Sequence, residues 1–248
     1  MLTEERFSRI LAIVDLEGSV RIADLVQRLG ISESTVRRDL AAMDEKGLLT
    51  KVHGGAISLS RAQMTAQDES IIKRKAQYTE EKRRIAKYAA SLIEPGDFVF
   101  LDAGTTTELM LDYLVPCEAS FVTHAVNHAL RLSAMGVKVY LLGGELKSIT
   151  EIVYGESTIR ALSSFRFSKG FFGTNGISPA GGFSTPDPRE AAVKATAFKA
   201  CRRSYVLADE SKFRTESSVR FARLEDATVI TNRKPEGELK DLKNLMIV

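Results

Sequence analysis

The chain has 248 residues, of which 44% are hydrophobic and 27% charged, and its formal net charge is +3. That length admits one large α/β domain or a small domain joined to a medium one, and the composition is that of a globular chain rather than a disordered or fibrous one. No apolar run reaches the roughly 18–20 residues that span a bilayer. The start, Met1-Leu-Thr-Glu-Glu-Arg, carries no apolar signal core, so a cytoplasmic protein without a membrane partner is expected.

In chain order, Phe7, Ile10, Leu11, Ile13 and Val14 fall at helical spacing over 3–17, with Thr3 as N-cap and Gly18 as stop. A second helix fits 22–29, burying Ile22, Leu25, Val26 and Leu29 and ending at Gly30. A third, over 32–46, buries Val36, Leu40 and Met43 and stops near Gly47. Residues 48–52 read as a strand, His53-Gly54-Gly55 as a turn and 56–59 as the returning strand. Three helices and a hairpin make a winged helix-turn-helix over 1–59. Residues 60–77 lack clear periodicity and are expected to be a linker.

From Tyr78 to Val248 strands and helices alternate. Helices are predicted over 79–93, from the Gly104-Thr105 turn to Leu114, over 126–135, 156–163 and 188–203. Strands are predicted over 98–102, 119–123, 137–142, 170–173, 205–209, 227–231 and 245–248. Such alternation implies a Rossmann-like α/β domain, a mostly parallel sheet with helices on both faces and its ligand cleft beyond the C-terminal strand ends. Cys117 and Cys201 lie far apart and suggest no disulfide framework; both are expected as buried or half-buried thiols.

In the third helix Ser32 is placed to cap, while Ser34, Thr35, Arg37 and Arg38 lie outward near the N-terminus, the end of a recognition helix that meets base edges. An arginine fork bonds guanine bidentately or bridges phosphates, and Lys51 and His53 sit at the hairpin tip, where a wing touches the backbone or minor groove. Taken alone, Arg37-Arg38-Asp39 reads as a solvated face; the helices before it and the wing after it favour operator DNA as the partner. Residues 1–58 hold eight Lys/Arg against nine Asp/Glu, so one head is expected to bind weakly and several copies to bind together.

Arg6-x3-Ile10-x3-Val14 followed by Ser32-x2-Thr35-Val36-Arg37-Arg38-Asp39-Leu40, with the wing His53-Gly54-Gly55-Ala56, resembles the N-terminal signature of the DeoR family of bacterial sugar-metabolism regulators.

Five segments place small and polar residues at or near strand ends. Asp102 and Gly104-Thr105-Thr106-Thr107 join a strand to a helix, so that glycine, helix amides and hydroxyls together suit a phosphate; the Gly-Lys-Ser/Thr element of a Walker loop is missing. Gly143-Gly144, then Gly173-Thr174-Asn175-Gly176, then the Gly181–Thr185 stretch and finally Asp209 to Lys212 complete the set. Asp102, Asn175 and Asp209 are candidates for sugar hydroxyls, and Lys212 and Lys194 for a phosphate or hydroxyl, with a cap as the other reading of Asp209. His124-x3-His128 has no arranged carboxylates around it, and no metal or other cofactor is expected.

The same segments in the same order resemble the sensor domain of DeoR-type repressors, which resembles ribose-5-phosphate isomerase in fold. The resemblance implies a sugar-phosphate site at Gly104–Thr107, Gly173–Gly176 and Lys212, and a homodimer or homotetramer. Where members of the family often carry Thr-Asn-Ser, this chain has Thr123-His124-Ala125, so His124 or Asn127 is expected in the asparagine's place. The 185–190 segment, Thr-Pro-Asp-Pro-Arg-Glu, is most similar to the branch that answers to fructose 1-phosphate. The expectation is a repressor released by a phosphorylated sugar, with an activator or co-repressed regulator as the alternative. An isomerase or kinase is the remote one, because Asn175 is an amide where isomerisation needs a carboxylate base.

Overall fold

The computed structural model describes residues 3–58, 74–115, 118–148, 150–213 and 215–248, in two compact units, Met1–Ile72 and Lys73–Val248. Cys117 and most of the 60–77 stretch lie outside the described residues.

The first unit runs α1 (Thr3–Glu17), β1 (Ser19–Arg21), α2 (Ile22–Leu29), α3 (Glu33–Glu45), β2 (Thr50–Val52) and β3 (Gly55–Ile57). Its core is Ile10, Val14, Leu25, Val36, Leu40, Met43, Leu49 and Ala56, all fully buried or nearly so. Ser32 accepts the Thr35 N–H as N-cap of α3, and Gly30 ends α2 in the left-handed conformation at φ 64°. The expected hairpin is in fact a three-stranded sheet of order β1-β3-β2. The extra strand covers only Ser19–Arg21, too short for alternation to reveal. Gly55 shows why the wing needs its second glycine: a Cβ there would lie 2.1 Å from the Val20 carbonyl oxygen of β1.

The second unit contains α4 (Thr79–Ser91), β4 (Phe98–Leu101), α5 (Thr105–Met110), β5 (Ser120–Thr123), α6 (Val126–Ala134), β6 (Lys138–Leu141), β7 (Glu145–Lys147), β8 (Ile152–Tyr154), α7 (Glu156–Ser163), β9 (Phe167–Gly173), β10 (Gly176–Ser178), β11 (Gly182–Thr185), α8 (Pro188–Lys199), β12 (Cys201–Leu207), β13 (Val219–Ala222), β14 (Thr228–Thr231) and β15 (Leu245–Ile247). Seven strands form a parallel sheet of order β15-β14-β12-β9-β4-β5-β6. Neighbouring side chains go to opposite faces, as a strand requires. Val99, Leu101, Phe121, Phe171, Tyr205 and Leu207 fill one core, and Phe100, Val122, Phe172 and Val206 fill the other. Burial on both faces explains the continuous apolar strands.

Several boundaries differ from expectation. The 188–203 helix stops at Lys199, because Cys201 and Arg203 already pair with Phe167 and Lys169 in the sheet. The same pairing starts β9 three residues before Gly170. Helix α5 ends at Met110 rather than Leu114. Most of the Gly181–Thr185 stretch is strand β11 (Gly182–Thr185), in an antiparallel sheet of order β10-β11-β13, and β7 pairs with β8 in a separate hairpin. Cys201 is half-buried; burial pushes its thiol up to about 12, and the thiol donates to the Ala197 carbonyl at 3.1 Å. No described helix is long and apolar enough to cross a membrane.

Candidate functional site

On the first unit, α1 and α3 are joined by an ion pair that orients the recognition helix. Asp39 is 5% exposed, and its two oxygens accept from Arg6 Nε at 2.7 Å and Nη2 at 3.0 Å. A planar fork matched to a carboxylate fixes orientation as well as distance. Asp39 therefore does not belong to a solvated face: its side chain points towards α1 because it follows Val36 by three positions on the buried side. Ser32, Ser34, Arg37 and Arg38 stay exposed on α3 and Thr35 half-buried, while Lys51 and His53 are exposed on the wing. Arg37 is held by Glu33 at 2.5 and 2.9 Å, an exposed pair one helical turn apart. Such pairs are worth only a few tenths of a kcal/mol, so the guanidinium is readily released to another anion. Arg38 forms no ion pair among the described residues. We expect Arg38→Ala to weaken binding to the protein's own promoter DNA by about 1–3 kcal/mol; a titration showing unchanged affinity would remove Arg38 from the interface.

On the second unit, the chain runs outward in opposite directions from the β4–β9 seam, and a ligand cleft belongs beyond the strand ends at such a reversal. A pocket occupies that place. Its lining includes Gly104, Thr105 and Thr106 after β4, Gly173, Thr174 and Asn175 at the end of β9, Leu207 at the end of β12, and Lys212 in the 3-10 turn Glu210–Lys212. Arg74, Lys82, Glu190 and Lys194 complete the charged wall.

The two loops lie against each other at Gly104 and Gly173. A Cβ on Gly104 would lie 3.5 Å from Gly173 Cα, and one on Gly173 would lie 3.6 Å from Gly104 Cα. Thr107 is fully buried and absent from the lining: its hydroxyl donates to the Asp102 or Gly104 carbonyl at 2.6 and 2.9 Å and accepts the Gly104 N–H at 2.8 Å. It locks the turn. The Thr105 and Thr106 hydroxyls have no partner among the described residues, and the first-turn amides of α5 have none within the helix.

Asp102 is fully buried beneath this loop. Its Oδ2 accepts the Gly173 N–H at 2.8 Å and pairs with Lys194. Burial pushes its carboxyl up, but Lys194, His124 and the Gly173 amide outweigh this and hold it below the ordinary carboxylate range. It supports the pocket from below rather than lining it. Lys194 also donates to the Gly173 carbonyl at 3.0 Å, so its charge is already shared when it reaches the pocket. Asp209 is buried and accepts from the Ser211 backbone and hydroxyl, the cap reading of that residue.

Asn175 lines the pocket, its Oδ1 accepting from Thr185 at 3.1 Å, and Thr174 donates to the Gly176 and Ser184 carbonyls. Lys212 makes no side-chain hydrogen bond or ion pair among the described residues. Gly143 and Gly144 lie elsewhere, packed against Thr158, and Gly176 packs against Thr215. His124 and Asn127 are absent from the lining. His124 is stacked on Phe100 at 5.9 Å between centroids, with Nε2 3.8 Å from Asp102 Oδ1. Burial pushes both His124 and His128 down to about 4 and keeps them neutral.

Three charged wall residues, Arg74, Lys82 and Glu190, escaped sequence reasoning. Lys82 is 2% exposed, and its ammonium donates to the Arg74 and Gln77 carbonyls. Burial lowers its pKa, Asp209 opposes this, and Lys212 and Arg74 reinforce it. Burial likewise lowers the pKa of Arg74, against the pull of Glu190. Cations that disfavour one another's charge make a favourable setting for an anion. The usable signal was the excess of eight Lys/Arg over four Asp/Glu across residues 59–90. No group of three or more metal-ligating side chains occurs among the described residues.

Comparison with known proteins bears on both units. Residues 6–62 match the DeoR-like helix-turn-helix domain, and residues 77–233 match the DeoR C terminal sensor domain. The chain is 40% identical over 237 residues to an uncharacterized HTH-type transcriptional regulator, FruR, of Bacillus subtilis (strain 168), covering 95% of this chain and 93% of that one. It is 36% identical over 240 residues to a lactose phosphotransferase system repressor of Staphylococcus epidermidis, covering 96% and 94%. Among solved structures, ribose 5-phosphate isomerase from Plasmodium falciparum matches at TM-score 0.40 and 14% identity over 54% of this chain and 52% of that one. The full-length sorbitol operon regulator SorC from Klebsiella pneumoniae matches at 0.39 and 13% over 83% and 88%. The residue matches and the two domain matches agree: this chain belongs to the DeoR family.

Proposed function

We propose that the chain is a transcriptional repressor of sugar metabolism, that α3 and the wing bind operator DNA, and that a phosphorylated sugar in the pocket releases it. The carrying observation is the convergence of Arg74, Lys82, Lys194 and Lys212 on one pocket at the reversal point of the sheet. The names of the FruR and lactose phosphotransferase system relatives support a sugar operon as the target. Fructose 1-phosphate is the leading effector, on the resemblance of the 185–190 segment. Turnover is not part of the reading, because the relatives at 36–40% identity are named as a transcriptional regulator and a repressor.

With eight cations against nine carboxylates over residues 1–58, one head has little net attraction for DNA. The reading therefore includes a homodimer or homotetramer whose paired heads meet paired half-sites. Coupling of about 1–3 kcal/mol between pocket and heads changes operator affinity roughly 5- to 150-fold.

A thermal-shift panel of sugar phosphates tests the pocket, since a ligand that binds only the folded state raises the melting temperature. Lys212→Ala is expected to keep operator binding and lose the shift and the release. Normal release by that variant would place the phosphate elsewhere, and equal affinity for promoter and random DNA would end the repressor reading.

A further inference from the structure

Glu190 is the one carboxylate among the described residues that line the pocket, set against four cations. An acid is out of place in a site built only to hold an anion. Its position is also fixed. Asp187 caps α8 by accepting the Arg189 N–H at 2.9 Å, and Lys147 from the β7–β8 hairpin bridges Asp187 at 3.0 Å and Glu190 Oε1 at 2.9 Å. Lys147 is 12% exposed, and the Glu190 side chain is 21% exposed. Lys147 therefore holds Glu190 through one oxygen, while Oε2 has no partner among the described residues. Asn175, in the same lining, has its carbonyl oxygen engaged by Thr185 and its amide nitrogen unengaged among the described residues.

We propose that Glu190 is a specificity residue: with Asn175 it reads hydroxyls of the effector, and it makes the pocket select a sugar carrying one phosphate over the same sugar carrying two. This rests on the phosphorylated-sugar reading of the pocket. A carboxylate accepts hydrogen bonds from hydroxyls, and a charged acceptor makes the stronger kind. It repels a second phosphate dianion, so one group supplies both the attraction and the exclusion. The available cations are limited as well: Lys194 is paired with Asp102, and Lys82 is bound to two carbonyls. Lys147 acts through Glu190 as a positioning residue.

The test measures dissociation constants of the full-length protein for fructose 1-phosphate, fructose 1,6-bisphosphate and inorganic phosphate, in wild type and Glu190→Gln. The wild type is expected to prefer the monophosphate. Glu190→Gln is expected to lose about 10- to 100-fold in monophosphate affinity, to keep inorganic phosphate and to narrow the gap to the bisphosphate. Lys147→Met, which leaves the carboxylate in place but unheld, is expected to show a smaller loss of the same kind. Should Glu190→Gln melt and bind promoter DNA as the wild type does, yet keep the wild-type ratio of the two sugar affinities, Glu190 has no such role and the phosphate pocket stands. Should no probe, inorganic phosphate included, bind the wild type while Lys212→Ala is equally silent, the pocket reading itself falls.

Discussion

Replacing Asp102 with alanine is expected to lower the melting temperature of the second unit by roughly 6–20 °C. The side chain is fully buried, and its loss leaves the Lys194 ammonium, 7% exposed, without its counter-charge. Breaking a buried pair by removing one partner costs about 3–5 kcal/mol, and in a domain of this size each kcal/mol moves the midpoint by about 2–4 °C. The Gly173 N–H loses its acceptor in the same step. A double variant, Asp102→Ala with Lys194→Met, separates charge from cavity: it should recover part of the loss, because no buried ion remains. A single variant melting within about 2 °C of wild type would show that Asp102 does not hold the pocket floor.

The second large effect is acid lability. His124 and His128 are buried and pushed down to about 4 from an ordinary value of 6.5. Because the folded value lies below the unfolded one, the unfolded chain binds more protons throughout the interval between them. Stability is therefore complete above about pH 6.5 and falls as the pH drops towards 4, by up to roughly 1.4 kcal/mol per histidine per pH unit. Urea midpoints at pH 7.5, 6.0 and 5.0 check this. His128→Gln is expected to flatten the slope by about half, and an unchanged midpoint between pH 7.5 and 5.0 would contradict burial of both rings in the neutral form.

Much of the fold was legible in the residues because its signals are local. Apolar spacing in α1 and α3, the Ser32 cap and the Gly30 stop located the helix-turn-helix, and runs such as Phe98–Leu101 located the buried strands. Some of the shortest strands were not legible. Strand β1 exists through β3, more than thirty positions away, while β7, β8 and β10 belong to local pairings whose three-residue strands cannot display alternation. The 188–203 stretch misled for a related reason: Cys201-Arg202-Arg203 suits a helix locally, but pairing with β9 claims it. In the site, the Gly104–Thr106 and Gly173–Asn175 loops could be read from glycines following strands. The inward position of Lys82 on α4 could not, since a lysine in a charged amphipathic helix looks like solvent-facing charge. Nor could the withdrawal of Asp102 beneath the loop, which depends on Lys194, 92 positions away.

The β4–β9 seam is fastened at both ends. Near the start of β4, Lys169 of β9 is buried and bonds Asp97, Glu94 and the Leu92 carbonyl at 2.6–2.7 Å. Beyond the end of β4, Asp102 takes the Gly173 amide and Lys194. A pair of strands riveted top and bottom does not slide, so whatever the pocket transmits has to be carried by parts that hang on the seam. The β7–β8 hairpin is held to α8 through Lys147, and α8 reaches the seam through Lys194 on Asp102 and the Gly173 carbonyl. A change at the pocket would leave along that route rather than by a shift between β4 and β9.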